Sequence, residues 1–154
     1  MDVFVIPVAR DRYEIRGDAR RFENWESSIA GKLGMGRAID YALDLGLDRI
    51  WATLSARAAA LRSSLSAIPG VTVRDLGDVK GGIVTFTIDG KTTSEINSAL
   101  SNKKINTTSS SIFSTRFDME ARDQTQFVRA SSHYLTTAEE CALLAEEVER
   151  IARG

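Results

Sequence analysis

Cysteine and histidine are almost absent from this 154-residue chain, which contains one of each, Cys141 and His133. One cysteine cannot form an internal disulfide or a cysteine-based metal site, and one histidine leaves only scattered carboxylates as metal ligands. We therefore predict neither a disulfide nor a metal site. Cys141 falls within a helical pattern and is predicted to be a small buried residue. Such sparse cysteine usage fits a reducing compartment.

The chain also lacks an excess of charge and a long apolar run. A net charge of −1 gives no electrostatic reason to expect nucleic acid or an anionic membrane as partner. No stretch approaches the roughly 20 apolar residues that cross a bilayer. The N-terminal apolar run is broken by Asp2 and Pro7 and has no features of a signal peptide. We expect a soluble, cytoplasmic protein of one domain with its own core.

The spacing of apolar residues predicts helices and strands in alternation. A strand from Val3 to Val8 and a charged connector fill residues 1–20, and an ordered loop fills residues 21–31. Two helices follow, over about 33–45 and 47–67, the first containing Gly34 and Gly36, which predict close packing against the helix backbone. Arg49, Arg57 and Arg62 lie off the apolar stripe of the second helix and are predicted to be solvated.

The second half of the chain is predicted to be mainly a sheet. Strands over 71–76 and 82–89 are expected to pair antiparallel, and Thr93 or Ser94 to cap a short helix. A strand running into a polar loop over 104–111, an irregular segment over 112–125 and a last strand follow, and a capping box at Thr137 starts the final helix. The predicted fold is α+β, a two-layer sandwich with a small antiparallel or mixed sheet and helices on one face, preceded by an αα pair.

The last strand carries the most informative polar residue of the chain. Alternation places Phe127, Arg129, Ser131 and His133 on one face. A guanidinium is a rigid fork that suits a carboxylate or a phosphate, so Arg129 is a candidate ligand-binding residue. The alternative is an edge-strand arginine in a surface ion pair. The glycine-rich "GKLGMGRA", residues 31–38, follows no strand and lacks the GK[ST] of a phosphate loop, and no G-x-S-x-G elbow occurs.

Several stretches together resemble the C-terminal small domain of class V aminotransferases. They are "RRFENWESSIAGKLGMGRAIDYALDLGLDRI", "IPGVTVRDLG", "GGIVTFTIDG", "INTTSS" and "VRASSHYLTTAEE", and the match runs from about Tyr13 to Ala152. The family is a branch of the fold-type I pyridoxal-phosphate enzymes that includes cysteine desulfurases, selenocysteine lyases and isopenicillin epimerase-like proteins. The resemblance implies that residues 21–154 are this small domain and that residues 1–20 are an N-terminal strand and connector.

The resemblance also implies roles for individual residues. Arg129 matches the arginine that holds the substrate α-carboxylate. Asn106 and Thr107 fall where desulfurases carry Arg-Thr ahead of a catalytic-cysteine loop, but here "NTTSSSIF" contains no cysteine, which excludes persulfide chemistry. Residues 23–28 fall where desulfurases contact the neighbouring subunit's cofactor phosphate. Possible pocket-lining residues are Glu26, Ser27, Ser28, Asn106, Thr107 and His133.

No residue matches the lysine that binds pyridoxal phosphate in the family. The lysines of this chain are Lys32, Lys80, Lys91, Lys103 and Lys104, and none lies in the family's His-Lys context. We therefore expect no catalytic residue and no cofactor bound by this chain alone. The expected partner is a missing large domain or a second copy, docked through an apolar patch of Phe4, Val5, Trp25, Ile29 and Met35.

Three hypotheses follow from these features. The first is a separated small domain of a class V pyridoxal-phosphate enzyme. The second is a non-catalytic module that binds a carboxylate or an amino acid, or that mediates oligomerisation. The third is an unrelated enzyme that uses His133.

Overall fold

The computed structural model describes residues 5–23 and 26–154, which fall into two compact units, Met1–Asp44 and Leu45–Gly154. In the first unit, strands β1 (Val5–Ala9) and β2 (Arg12–Ile15) pair antiparallel, with an irregularity between Pro7 and Ala9. The prediction of a charged connector after β1 is therefore wrong at 12–15. "RYEI" alternates over only four residues, and pairing with β1 supplies the partners for its backbone groups.

A 3-10 helix (Ala19–Phe22) and helix α1 (Ile29–Leu45) complete the first unit. Helix α1 begins four residues before the predicted start, and the Ser28 hydroxyl accepts a hydrogen bond from the Gly31 amide over 3.0 Å. A Cβ at Gly34 or Gly36 would meet no atom within 4 Å. The close packing predicted from these two glycines is therefore absent among the described residues.

The second unit is a four-stranded antiparallel sheet with helices on one face. Its elements are α2 (Leu47–Ser66), β3 (Val71–Val73), β4 (Ile83–Ile88), α3 (Thr93–Asn102), β5 (Thr108–Ser111), α4 (Arg116–Ala121), β6 (Gln126–Ser131) and α5 (Ala138–Arg153). The strand order is β3-β4-β6-β5, and each neighbouring pair is antiparallel. The predicted α+β two-layer fold is confirmed, and two consecutive helices, α1 and α2, precede the four-stranded sheet along the chain.

The core of the second unit lies between the sheet and three helices. Its largest fully buried side chains include Phe86 of β4, Leu61 and Leu65 of α2, Ile96 and Leu100 of α3, and Val148 of α5. These side chains follow the helical and strand periods seen in the sequence, because each element turns one face toward this core. The opposite face of the sheet is called the outer face here, and it carries Thr85, Phe127 and Arg129.

The sequence predicts an irregular segment over residues 112–125, but helix α4 lies within it. The helix has six residues and one fully buried apolar side chain, Met119, so it produces no repeated apolar spacing. Ion pairs at helical spacing, Arg116–Glu120 and Asp118–Arg122, join neighbouring turns at its surface.

Capping boxes begin both α3 and α5. Thr137 and Glu140 form the predicted box at α5, where the Thr137 hydroxyl accepts from the Glu140 amide and the Glu140 carboxylate accepts from the Thr137 amide. At α3 the cap is Thr92 rather than the predicted Thr93 or Ser94, because the reciprocal partner, Glu95, lies three residues after Thr92. In the described ranges, no helix is long and apolar enough to cross a membrane.

Candidate functional site

Arg129 lies in the middle of β6, an interior strand of the sheet. Phe127 and Val128 on either face are buried, whereas Arg129 is exposed. The predicted alternative of an edge-strand arginine is wrong, since β4 and β5 pair with β6 on its two sides. Across residues 5–23 and 26–154, no ion pair or side-chain hydrogen bond involves the Arg129 guanidinium. The arginine therefore presents unpaired donors to solvent from a rigid strand.

Two threonines flank Arg129 on the outer face. Thr85 of β4 and Thr108 of β5 are its register partners. The Ser132 amide donates to the Gly82 carbonyl, so these two residues form a hydrogen-bonded pair between β4 and β6. Hydrogen-bonded and non-hydrogen-bonded pairs alternate along an antiparallel ladder. Thr85 and Arg129, three positions further on, therefore form a non-hydrogen-bonded pair. Side chains approach most closely at such pairs. Thr85 is buried and Thr108 is exposed, so the two neighbours offer Arg129 different surroundings.

Beside Thr85 lies an ion pair that the sequence did not indicate. Arg62 was predicted to be solvated, but its side chain is 13% exposed and its Nε donates to Asp75 Oδ2 over 2.6 Å. Asp75 Oδ1 accepts from the amide and the hydroxyl of Thr85. In the sequence, an arginine that lies off the apolar stripe of a helix has the same spacing whether its side chain is solvated or forms a buried ion pair. Only the packing of α2 beside the sheet distinguishes the two.

Asn106 and Thr107 precede β5 and differ in their surroundings. The Thr107 hydroxyl donates to Asn97 Oδ1 of α3 over 2.7 Å, which leaves it part-buried and occupied. Asn106 is exposed and lines a cleft of about 320 Å³. The cleft has an apolar floor that includes Leu61 and Leu144 and a polar rim that includes Ser131 and Glu140.

His133 does not share the strand face of Arg129, because β6 ends at Ser131. Its backbone amide donates to the Thr136 hydroxyl, and its ring lies 4.0 Å from that of Tyr134. The Leu135 amide donates to Nδ1 over 3.4 Å. His133 thus shapes the turn before α5, and the predicted common face of Arg129 and His133 is wrong.

Three further predicted pocket residues, Glu26, Ser27 and Ser28, belong to the first unit. All three are exposed. The Ser28 hydroxyl is used at the start of α1, and their predicted contact with a cofactor phosphate stays a prediction. Asn24 and Trp25 of the same predicted loop lie outside the described residues.

Cys141 lines the floor of the cleft on α5 and is buried, as predicted. Burial raises the pKa of its thiol above the ordinary value. The thiol therefore stays protonated near neutral pH and is a weak nucleophile, since thiolate is the reactive form.

All five lysines are exposed. Lys104 lines the same cleft as Asn106, and Lys80 lines a second cleft with Arg62 and Asp75. A lysine that binds a cofactor covalently needs a desolvated position that lowers its pKa. In the part of the chain that the structure describes, no group of three or more His, Cys, Asp or Glu is arranged to hold a metal ion.

An antiparallel sheet covered by helices, with an unpaired arginine on its open face, defines an α+β domain with a candidate anion-binding residue. The family described as aminotransferase class-V matches residues 5–144. The chain belongs to the class V aminotransferase family, as its resemblance predicted.

Individual relatives agree with this assignment. A probable cysteine desulfurase of Methanothermobacter thermautotrophicus is 28% identical over 153 residues, which cover 96% of this chain and 38% of the relative. The apo structure of a cysteine desulfurase from Thermococcus onnurineus superposes with a TM-score of 0.78 at 22% identity, covering 99% of this chain and 38% of that one. A cystine C–S lyase in complex with its product, cysteine persulfide, superposes with a TM-score of 0.64 at 24% identity, covering 88% and 34%. The chain spans well under half the length of these proteins.

Proposed function

We propose that this chain is the small domain of a pyridoxal-phosphate-dependent class V enzyme, in which Arg129 binds the α-carboxylate of an amino-acid substrate. The observation that supports this role is the exposed, unpaired guanidinium on an interior strand. Two arginines that contact β4 are occupied, since Arg62 of α2 pairs with Asp75 and donates to the Ile83 carbonyl, and the Arg74 Nε donates to Thr87. An arginine without a partner on such a rigid support is arranged for a ligand.

The chemistry of a carboxylate fits this position. A guanidinium donates two parallel hydrogen bonds to the two carboxylate oxygens, and the strand fixes the direction of the fork. Family membership supports the same ligand class, because the cystine lyase of similar fold was solved with an amino-acid product.

The chain by itself does not carry out pyridoxal chemistry in this proposal. Its exposed lysines do not fit the cofactor, so the groups that bind the cofactor come from another part of the enzyme. The isolated chain is therefore inactive and binds no pyridoxal phosphate. Its cytoplasmic location also stays a prediction.

Persulfide formation is not assigned to this chain, although several relatives are named cysteine desulfurases. The segment that resembles their catalytic-cysteine loop forms strand β5, Thr108–Ser111, and contains threonine and serine. Cys141, the cysteine the chain does contain, is buried on α5. A buried thiol with a raised pKa does not replace an exposed, activated one.

The role of Arg129 is tested by titrating the ¹⁵N-labelled chain with L-alanine and following the Arg129 Nε–Hε signal. We expect saturable shifts in the wild type and a loss of affinity of about 10- to 100-fold in Arg129→Gln, because a charge-assisted pair contributes about 1.5–3 kcal/mol. Arg49→Gln is the matched control, since Arg49 is also exposed but lies on α2. Equal affinity in wild type and Arg129→Gln would disprove the role.

An oligomerisation or docking module is the second candidate. Among described positions of the first unit, 6–23 and 26–44, no residue is buried. Exposed large apolar side chains of α1 are Ile29, Leu33, Met35, Ile39, Tyr41 and Leu43. Ile29 and Met35 belong to the predicted docking patch, whereas Phe4, Trp25 and the Val5 side chain lie outside what the structure describes.

Apolar exposure on this scale favours burial against a partner, either a large domain or a second copy of the chain. Sedimentation velocity distinguishes a dimer from a monomer, and Leu33→Glu should dissociate a dimer formed through α1. A wild-type monomer that stays monomeric at high concentration would leave the large domain as the proposed partner. A dimer unaffected by Leu33→Glu would exclude α1 as its interface.

A further inference from the structure

Strand β5 consists entirely of hydroxyl residues, Thr108–Ser111, and its two faces use them differently. Successive side chains of a strand point to opposite faces of the sheet. Thr108 is the register partner of Arg129, and Ser109 is the register partner of Val128. Val128 is fully buried in the core, whereas Arg129 lies on the outer face. The Thr108 side chain therefore shares the outer face with Arg129.

Asn97 of α3 binds the hydroxyls on the opposite face of this segment. The Thr107 hydroxyl donates to Asn97 Oδ1 over 2.7 Å, and Asn97 Nδ2 donates to the Ser109 hydroxyl over 2.6 Å. Thr107 and Ser109 flank Thr108 along the chain and are both held toward the helices. These two contacts fix the direction of the side chain between them, so Thr108 points away from α3 and stays beside Arg129.

The two threonines that flank Arg129 differ in whether their hydroxyls are available. Thr85 is buried, and its hydroxyl donates to Asp75 Oδ1 over 2.5 Å. Thr108 is exposed, and within residues 5–23 and 26–154 no side-chain hydrogen bond involves its hydroxyl. Of these two neighbours, Thr108 is thus the one that can donate a hydroxyl proton to a ligand.

A carboxylate bound at Arg129 has acceptor capacity left for such a donor. It offers about four lone-pair positions, of which a guanidinium fork uses two. Cβ atoms of directly opposite residues lie about 4.5–5.5 Å apart, so the Thr108 hydroxyl is within reach of a ligand held over β5 by the arginine. Strand β5 is an edge of the sheet, and the Thr108 side chain is open to solvent on this side.

We propose that the Thr108 hydroxyl donates a hydrogen bond to the carboxylate that Arg129 binds, so that the ligand site spans β5 and β6. This inference rests on the proposed role of Arg129. The hydroxyl adds no charge but holds one carboxylate oxygen toward β5, and it thereby fixes the orientation of the ligand about the guanidinium. The alternative is a solvated hydroxyl on an edge strand, which contributes nothing to binding.

The test is an NMR titration of the ¹⁵N-labelled wild-type, Thr108→Val and Thr108→Ser chains with L-alanine and, separately, with acetate. Valine removes the hydroxyl while keeping the shape and the β-branched side chain that strands favour. We expect Thr108→Val to raise the dissociation constants of both ligands about 5- to 10-fold, as for the loss of one hydrogen bond to a charged group at an exposed site. Thr108→Ser keeps the hydroxyl and should stay within roughly twofold of wild type.

Acetate is included because it has a carboxylate but no amino group. Equal weakening of acetate and L-alanine binding in Thr108→Val is the result expected of a contact to the carboxylate. Thr72→Val is the matched control, since Thr72 is also an exposed threonine of an edge strand but pairs with Thr87 on the far side of the sheet. It should leave both dissociation constants unchanged. Should Thr108→Val fail to fold, Thr108→Ala removes the same hydroxyl and the same weakening is expected.

Three results would overturn the inference. They are wild-type affinity for both ligands in Thr108→Val, an equal loss in Thr108→Ser, which would assign the effect to packing, and weakening of L-alanine binding alone. Failure of the proposed function gives a different result, because wild-type Arg129 would then respond to neither ligand or Arg129→Gln would bind as tightly as wild type. In that case no carboxylate is bound at Arg129, and the role of Thr108 is rejected with it.

Discussion

Replacement of Asp75 by alanine should be among the most destabilising polar substitutions in the second unit. The change removes the partner of Arg62 and leaves a guanidinium that is 13% exposed without its counter-charge. It also removes the acceptor of the Thr85 amide and hydroxyl. Breaking a buried ion pair by removing one partner costs about 3–5 kcal/mol.

The expected loss is about 3–4 kcal/mol, toward the lower part of that range. Arg62 keeps two of its three acceptors, the carbonyls of Gly81 and Ile83, so its charge is only partly uncompensated. A domain of this size has a free energy of unfolding of about 5–15 kcal/mol. Asp75→Ala therefore removes a large share of the total, and Arg62→Met/Asp75→Leu should lose less than Asp75→Ala, because neither charge is then left unpaired.

Urea unfolding followed by circular dichroism measures these differences as shifts in midpoint at constant slope. Asp78→Ala is the matched control, because Asp78 is an exposed aspartate of the same β3–β4 connection and should change stability by less than about 0.5 kcal/mol. An Asp75→Ala loss as small as that of Asp78→Ala would refute the reasoning. It would mean that the pair is solvated in solution.

Three further outcomes test other parts of the molecule. Hydrogen bonds from the amide and hydroxyl of Thr92 lower the pKa of Glu95 below its ordinary value. The Glu95 carboxylate therefore stabilises the fold above the ordinary pKa, and this stabilisation is lost as the pH falls through the folded-state pKa. An NMR titration measures the pKa directly, and a value at or above 4.5 would contradict the prediction. Burial raises the pKa of the Cys141 thiol, so the thiol's contribution to stability is present below the ordinary thiol pKa of 9.0 and declines as the pH rises through the folded-state pKa. Alkylation of Cys141 at pH 8 should also be far slower in the folded chain than in urea. Equal alkylation rates would exclude a buried thiol. Leu65→Ala should cost about 3 kcal/mol in unfolding free energy because Leu65 is fully buried, whereas Leu76→Ala, at a site 66% exposed, should cost little; similar losses at both sites would contradict the assignment of the core.

Long periodic elements were predictable because their pattern repeats. Helix α2 has several turns of one apolar stripe, and its observed range, Leu47–Ser66, lies within a residue of the predicted end. Strand β4 is rich in β-branched and aromatic residues and was placed within one residue at each end. The box at Thr137 was found because its two residues interact locally, at a fixed spacing.

Short elements were missed because their residues do not repeat a period. Strand β2 has four residues and depends on pairing with β1, and α4 has six residues and one buried side chain, Met119. The sequence predicted a strand running into a polar loop over 104–111, but the strand is the polar part, Thr108–Ser111, which pairs with β6. Backbone partners in the rest of the molecule decide these boundaries.

The sequence by itself predicted the family, the two-layer fold and Arg129 as a candidate ligand-binding residue. Each of these rests on apolar periods, a capping box or family-like motifs, which are all local along the chain. The interior position of Arg129, and the absence of an ion pair to it within the described ranges, did not follow from the sequence. Nor did the pairing of Arg62 with Asp75, which lie 13 residues apart. Only the packing of α2 beside the β3–β4 connection brings those two charges together, and Coulomb attraction and hydrogen bonding depend on distance in space rather than along the chain.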